Sequence, residues 1–310
     1  PHRKRLIASK QAAKQVGSAM TDDKQATPDW FWNAIDDQPK TGQVEVAGVD
    51  INYLCWSGQG KPGLLFVHGH NAHAHWWDFI APSYKDDYQT VALDLSGMGD
   101  SDHRDEYSAD LYADEIAAVA AECAMPQDTI VVAHSFGGVM SVRAMAKYAD
   151  SFKGLVLLDA GVKHPDDESP PEPERLARAK VYPTAEAAQA RFRLQPPQQC
   201  ANQYLVDHVA RHAIEFIPEE DGFGWKFDAE QRSRMLPYTD LADDFRAIAK
   251  PCALIYGADS ESFSAKSAKH MQELLPHLEV TELPNAQHHL FLDQPETFMA
   301  ALSEQLVKWR

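Results

Sequence analysis

An α/β architecture on a mostly parallel eight-stranded sheet, with helices on both faces, is the fold class this sequence predicts. Three observations predict it. Eight short apolar runs alternate with amphipathic helical segments. Three of the runs are apolar throughout, as strands covered on both faces are. The alternation then breaks once, between about Gly161 and Ile248, where a long insertion is tolerated because loop-closure entropy grows slowly with length.

Residues 1–25 read as a leader, disordered or vector-derived. Its first nineteen residues carry Arg3, Lys4, Arg5, Lys10 and Lys14 without an acid or an apolar h-region, so it is no secretory signal. The Gly-Ser-Ala-Met stretch ending at Met20 reads as a scar before a native start. Strands follow at 43–47, 51–56, 64–67, 90–95, 129–133, 154–158, 253–256 and 278–283. Amphipathic helices are predicted at 111–124, at 137–148 with Val139, Val142, Met145 and Ala146 on one face, and at 296–309. The insertion opens on an acidic, proline-rich stretch at 165–174. Helix-like segments come next at 184–193 and 203–217, and then 222–228, with no strand signal like that of its flanks. It is expected to form a mostly helical cap (163–246) between core segments 26–162 and 247–310.

The chain has 310 residues, 44% of them hydrophobic, and a formal net charge of −17. That charge opposes nonspecific binding to nucleic acid and to anionic membrane. A mean hydropathy of −0.43, with no run of about 18 apolar residues, argues against a spanning helix. Cys55, Cys123, Cys200 and Cys252 are scattered without C-x-x-C spacing, which points to a reducing, cytoplasmic setting rather than a disulfide framework. A small molecule is the expected partner.

Chemistry enters at Ala133-His134-Ser135-Phe136-Gly137-Gly138, which follows a buried strand and opens a helix. A serine here would be an ordinary N-cap if it stood alone. Small residues on both sides, in strand-turn-helix order, fit the nucleophile elbow G-x-S-x-G, with alanine at the first glycine. Strand 64–67 ends in His68-Gly69-His70-Asn71, and strand 90–95 runs into Asp94-Leu95-Ser96-Gly97-Met98-Gly99-Asp100-Ser101. Late in the chain comes Asn285-Ala286-Gln287-His288-His289-Leu290.

Together these motifs resemble the α/β-hydrolase superfamily, serine-nucleophile branch, similar to capped esterases and C–C hydrolases. The resemblance runs from about Gln43 to the C-terminus. It implies an α/β-hydrolase fold with a helical cap inserted after strand 6, and Ser135 as nucleophile. His288 is implied as general base, with His289 as its neighbour. The backbone N–H groups of His70 and Phe136 are implied to form the oxyanion hole, and the Asp94 loop is implied to be mainly structural. The family's usual acid slot, three residues past Gly257, holds Ser260. Some relatives take the acid from the sixth strand, so Asp159 ranks first, Glu261 second and Asp259 third. Epoxide hydrolases and haloalkane dehalogenases use an aspartate nucleophile, and Ser135 argues against both. A carboxylic ester hydrolase leads, acting on an ester, thioester or lactone, and no cofactor is needed. Trp76, Trp77, Phe223 and Trp225 are candidates for an apolar substrate pocket. Arg191 and Arg193 would clamp a substrate carboxylate if the protein were instead a C–C hydrolase of a ring-cleavage diketone.

Two rivals come from other classes. His68, His70 and His73 resemble the H-x-H-x-D-H metal site of metallo-β-lactamase-type enzymes, but Ala72 stands where the aspartate belongs, and His75 with Trp76-Trp77 follows. A binding protein on a retired hydrolase scaffold would explain the missing acid in the usual slot, but not the presence of both Ser135 and His288.

Overall fold

A computed structural model of the chain describes residues 27–56, 58–167 and 180–310. The leader at 1–25, and most of the acidic stretch 165–174, lie outside the described residues. In chain order the elements are α1 (Asp29–Asp36), β1 (Lys40–Val46), β2 (Val49–Cys55), β3 (Gly63–Val67), β4 (Gln89–Leu93), α2 (Ala109–Glu122), β5 (Ile130–His134), α3 (Ser135–Lys147) and β6 (Gly154–Leu158). They continue with α4 (Ala185–Gln189), α5 (Gln203–His212), β7 (Ile214–Ile217), β8 (Gly222–Trp225), α6 (Gln231–Arg234), α7 (Leu241–Arg246), β9 (Cys252–Gly257), α8 (Ala265–Leu274), β10 (Glu279–Leu283), α9 (Leu290–Asp293) and α10 (Pro295–Lys308).

The main sheet has eight strands in the order β1-β2-β4-β3-β5-β6-β9-β10. β2 pairs antiparallel with β1 and β4, and the other neighbours are parallel. The apolar strands β3, β5 and β6 are buried at every position, and their side chains divide by parity between two cores. Leu65, Val67, Val131, Ala133, Leu155 and Leu157 face a core closed by Ile116 of α2, Val142 of α3 and Met271 of α8. Leu64, Phe66, Ile130, Val132, Val156 and Leu158 face a second core closed by Phe31 of α1 and by Phe298 and Leu302 of α10. Each such side chain stabilises the fold by about 1.5–3 kcal/mol. The chain leaves β3 toward β4 on one side and returns to β5 on the other. A ligand crevice is expected where the winding reverses, at the carboxyl ends of β3 and β5.

Helix starts follow local chemistry. Ser108 accepts the N–H of Leu111 at 3.2 Å, which starts α2 two residues before the apolar periodicity begins. Pro295 opens α10, where its missing N–H costs nothing.

The insertion departs from its predicted helical content. The helix expected over 203–217 stops at His212, and Ile214–Ile217 pairs antiparallel with Gly222–Trp225 instead. Asp221 takes the left-handed turn position, φ 46°. Gly222 and Gly224 are poor strand formers, but a Cβ there would fall 2.4 Å from Val181 Cγ1 and 2.5 Å from Ile217 Cδ1. The hairpin therefore exists through close packing that residue propensity does not reveal. At the far end of the insertion α7 is tied to core helix α3, because Arg143 Nη1 lies 3.2 Å from both carboxylate oxygens of Asp244. Among the described residues no helix is long and apolar enough to cross a membrane.

Candidate active site

At the end of β5 the chain turns into α3 within one residue. Ser135 holds a left-handed backbone, φ 51°, a strained state for a residue with a Cβ and one that costs on the order of 1–3 kcal/mol. Packing around the turn keeps it there. A Cβ on Gly137 would meet the His68 carbonyl oxygen at 2.2 Å, and one on Gly69 would lie 3.2 Å from Ser135 Cβ. Ala133, at the position usually held by glycine, is fully buried, so its methyl is accommodated there.

Ser135 Oγ lies 2.9 Å from His288 Nε2, and Asp159 Oδ1 lies 2.6 Å from His288 Nδ1. A carboxylate only accepts, so Nδ1 carries the proton and Nε2 accepts from the serine hydroxyl. Asp159 ends β6 with φ 48° and is 3% exposed. Its Oδ2 accepts the N–H of Gly257 at 3.0 Å, and its Oδ1 also accepts the Ser260 hydroxyl at 2.8 Å. Ser260, in the family's usual acid slot, thus donates to the Asp159 carboxylate. Of the other two candidates for that role, Glu261 and Asp259 are exposed, and neither is bonded to His288.

The loop bearing His288 is fixed from two sides. His134 Nε2 lies 3.0 Å from the His288 carbonyl oxygen and donates to it. A Cβ on Gly257 would fall 2.3 Å from the Ala286 carbonyl oxygen. His134, Gly257 and Ser260 are contributors that sequence reasoning missed. Only the invariable smallness of glycine at a strand end hinted at one of them.

The family model described as the alpha/beta hydrolase family matches residues 64–301. The chain belongs to this family. Among curated relatives, the pimeloyl-[acyl-carrier protein] methyl ester esterase of Chromobacterium violaceum is 28% identical over 255 residues, covering 80% of this chain and 95% of that one. The 2-(acetamidomethylene)succinate hydrolase of Mesorhizobium japonicum is 27% identical over 267 residues, covering 84% and 93%. Among solved structures, the thioesterase domain of a curacin biosynthetic pathway superposes with a TM-score of 0.71 at 20% identity, covering 87% of this chain and 99% of that one, a likeness of fold. The protein is an enzyme, a hydrolase of this family.

The hydrolase places its other predicted residues less uniformly. The His70 imidazole sits with its ring 5.5 Å from that of Phe136, and its Nε2 lies 2.9 Å from Gln231 Oε1 on α6. Burial pushes its pKa down to about 4, so the ring is neutral at pH 7. Asp94 is structural, as expected: its carboxylate accepts from Asn52 Nδ2, Asp100 N–H and Ala74 N–H.

The pocket assignment of Trp76 and Trp77 is corrected. Trp77 is fully buried between Phe66 and Phe291, with ring centroids 5.0 and 4.9 Å away, and offers no surface to a substrate. Trp76 is 4% exposed and packs behind His289 at 5.3 Å. Aromatics following an oxyanion-type loop here fill the second core. Phe223 and Trp225 lie on β8, half-buried, against Phe216 and against Tyr182 and Phe192 of the insertion itself. Arg191 and Arg193 are both exposed, and Arg193 caps the carbonyls of Ala190 and Phe192.

The rival metal triplet of His68, His70 and His73 does not assemble. His68 bonds the Gly69 carbonyl and the Leu95 N–H, His70 bonds Gln231, and His73 bonds the Val209 carbonyl. Three imidazoles close in sequence bond four different partners.

Proposed function

We propose that this hydrolase cleaves a carboxylic ester of a small to medium apolar acid through an acyl-enzyme formed on Ser135. The observation that carries the reading is the continuous chain from Ser135 through His288 to Asp159, at 2.9 and 2.6 Å. His288 takes the hydroxyl proton as Ser135 Oγ attacks the carbonyl carbon. The backbone N–H groups of His70 and Phe136 receive the developing oxyanion, each donor contributing about 3 kcal/mol. His288 returns its proton to the departing alkoxide. A water deprotonated by the same imidazole then attacks the acyl carbon and releases the acid. Asp159 holds the tautomer with the proton on Nδ1 throughout. Similarity to a methyl ester esterase supports an ester over other acyl groups. The C–C hydrolase alternative loses its proposed clamp, since Arg191 and Arg193 face solvent.

The insertion acts as a cap in this reading, because Gln231 from α6 grips the side chain of His70 beside the oxyanion site. None of the four cysteines is in a disulfide, in keeping with a cytoplasmic enzyme.

The test is hydrolysis of p-nitrophenyl acetate, butyrate and octanoate by wild type and Ser135→Ala, with and without EDTA. Turnover lost in the variant by about 10⁴-fold or more, and unmoved by the chelator, supports the proposal. Equal rates in the two proteins, or loss to EDTA, would sink it.

A further inference from the structure

A second imidazole–carboxylate cluster lies outside the catalytic chain, at the seam between α5 and the 3₁₀ turn Ala74–Trp77 that follows β3. One ligand atom each from His75, Asp78 and His212 fall within 4.8 Å of one another. Asp78 Oδ2 accepts from His75 Nδ1 at 2.9 Å and from His208 Nε2 at 2.8 Å. The remaining atoms are acceptors without donors. Among the described residues Asp78 Oδ1, His208 Nδ1 and His73 Nδ1 are buried and have no hydrogen-bond partner. Leaving three buried acceptors unsatisfied at one seam is unfavourable, by about 1–3 kcal/mol for each group. Of the three, Asp78 Oδ1 belongs to the His75–Asp78–His212 group, and a cation held by that group would give it a partner.

The seam is also reachable. A cavity of about 490 Å³, lined by Trp32, Asp36, Asp78, His208, Arg211 and His212 among others, adjoins it. We propose that His75, Asp78 and His212 form a binding site for a divalent first-row transition ion, with Zn²⁺ as the representative case. His208 would orient the carboxylate by donating to Oδ2, as outer partners of metal ligands do. Two imidazoles and one carboxylate, with solvent able to complete the set, suit such an ion. The choice of ion follows from the neighbours. Arg211 lines the cavity, and Lys226 stands close enough to act electrostatically on both His75 and His212. A hard cation held by charge alone is disfavoured there, whereas nitrogen ligation selects Zn²⁺ or its neighbours over Mg²⁺ and Ca²⁺. The rings of His75 and His212 stack at 3.9 Å, so ligation requires one of them to turn, and the cavity gives His212 that room. The bound ion would pin α5 to the loop that carries His70. His134, His288 and His289 make a weaker rival site, because both ring nitrogens of His288 are already held by Asp159 and Ser135. This inference does not depend on the chemistry at Ser135.

The experiment is calorimetric titration of the full chain with ZnCl₂, alongside His75→Gln, His212→Gln and, as a control on the rival cluster, His289→Gln. One ion per chain is expected, with affinity weakened about tenfold or more in the first two variants and unchanged in the third. Thermal melting guards against misfolding: Zn²⁺ should raise the Tm of wild type and of His289→Gln, and leave the other two unmoved. A Co²⁺ titration of wild type, read by its visible ligand-field bands, gives a variant-free measure of imidazole ligation. The site is overturned by three outcomes: no Zn²⁺ binding to wild type at millimolar metal, wild-type affinity in His75→Gln and His212→Gln, or loss of binding only in His289→Gln.

Discussion

Two histidine–carboxylate clusters stand in this molecule and are built on opposite principles. Both ring nitrogens of His288 itself have a partner, and Asp159 accepts from His288, Ser260 and Gly257 together, while Nδ1 of His134 and both nitrogens of His289 beside them have none among the described residues. Around Asp78 one carboxylate serves two imidazoles, while its other oxygen and two more ring nitrogens face no donor. The first cluster hangs from three adjacent parallel strands, β5, β6 and β9, and from the loop after β10, so its atoms are held by the sheet. The second bridges a 3₁₀ turn and an inserted helix, so its order depends on how the two pieces dock. The difference lies in the carboxylates: Asp159, with both oxygens bonded, is fixed in place, whereas Asp78, with one oxygen unpartnered, is sensitive to whatever enters beside it.

The largest break in the comparison comes from His288→Ala, expected to cut ester turnover by about 10⁴- to 10⁶-fold. His208→Ala, at the other cluster, should leave kcat within about threefold while lowering Tm, because it unseats Asp78 without touching the reacting atoms. Steady-state kinetics and melting curves on the pair check both halves. A turnover loss in His208→Ala comparable to that in His288→Ala would erase the distinction. Next in size is Asp159→Asn, expected to cost about 10⁴-fold by favouring the wrong imidazole tautomer. Glu261→Gln and Asp259→Asn should remain near wild type. A collapse in either would move the acid off β6.

Acid stability separates members within the second cluster. His73 and His212 are pushed far below the ordinary histidine range, by burial first and by the neighbouring His75 charge second. The unfolded chain takes up protons from about pH 6.5 downward that these two residues refuse in the folded state. Stability is therefore full above that pH and falls as the pH drops below it, by up to about 1.4 kcal/mol per pH unit for each group. His75 has the opposite sign. Burial opposes its charge, but the Asp78 carboxylate outweighs burial and raises its pKa, so its contribution is present at acidic pH and fades as the pH rises. Urea unfolding at pH 7.5 and 5.5 should show His212→Gln losing less stability than wild type on acidification, and His75→Gln losing more. Matching slopes in the two variants would contradict these assignments.

What the sequence made legible follows the same division. β3, β5 and β6 carry runs, at 64–67, 130–132 and 155–158, that are apolar throughout because both faces are covered, and that pattern needs no tertiary information. Ser135 was legible because it sits in a motif whose small neighbours are required by close backbone approach, as at Gly137, and His288 because its loop, late in the chain, resembles the family's histidine loop. The carboxylate partner of His288 was legible only as a ranking led by Asp159, because three carboxylates lay at workable chain positions, and only the spatial adjacency of β6 and β9 shows that Asp159 is the one that reaches Nδ1. Trp76 and Trp77 misled because an aromatic pair after a loop reads alike whether it points into a pocket or into the core. The Asp78 cluster was invisible, since His208 and His212 are 130 or more residues from Asp78 and join it only when α5 docks.

The smallest expected effect is also the finest probe of how the acid came to lie on β6. Ser260→Ala removes one 2.8 Å bond to Asp159 Oδ1 but leaves the Gly257 N–H on Oδ2 and the His288 contact intact. Losing one hydrogen bond among three should cost less than about 1.4 kcal/mol, hence under tenfold in kcat with KM unmoved. A thousandfold loss would mean that Ser260, not the strand end, fixes the carboxylate. Because the serine oxygen already stands beside the acid, a carboxylate built at the same position should reach the edge of the imidazole. Asp159→Asn combined with Ser260→Asp should therefore recover at least about tenfold of the rate that Asp159→Asn loses alone. Failure to recover would show that the left-handed backbone at Asp159, and not mere proximity of a carboxylate, is what aims the acid at Nδ1.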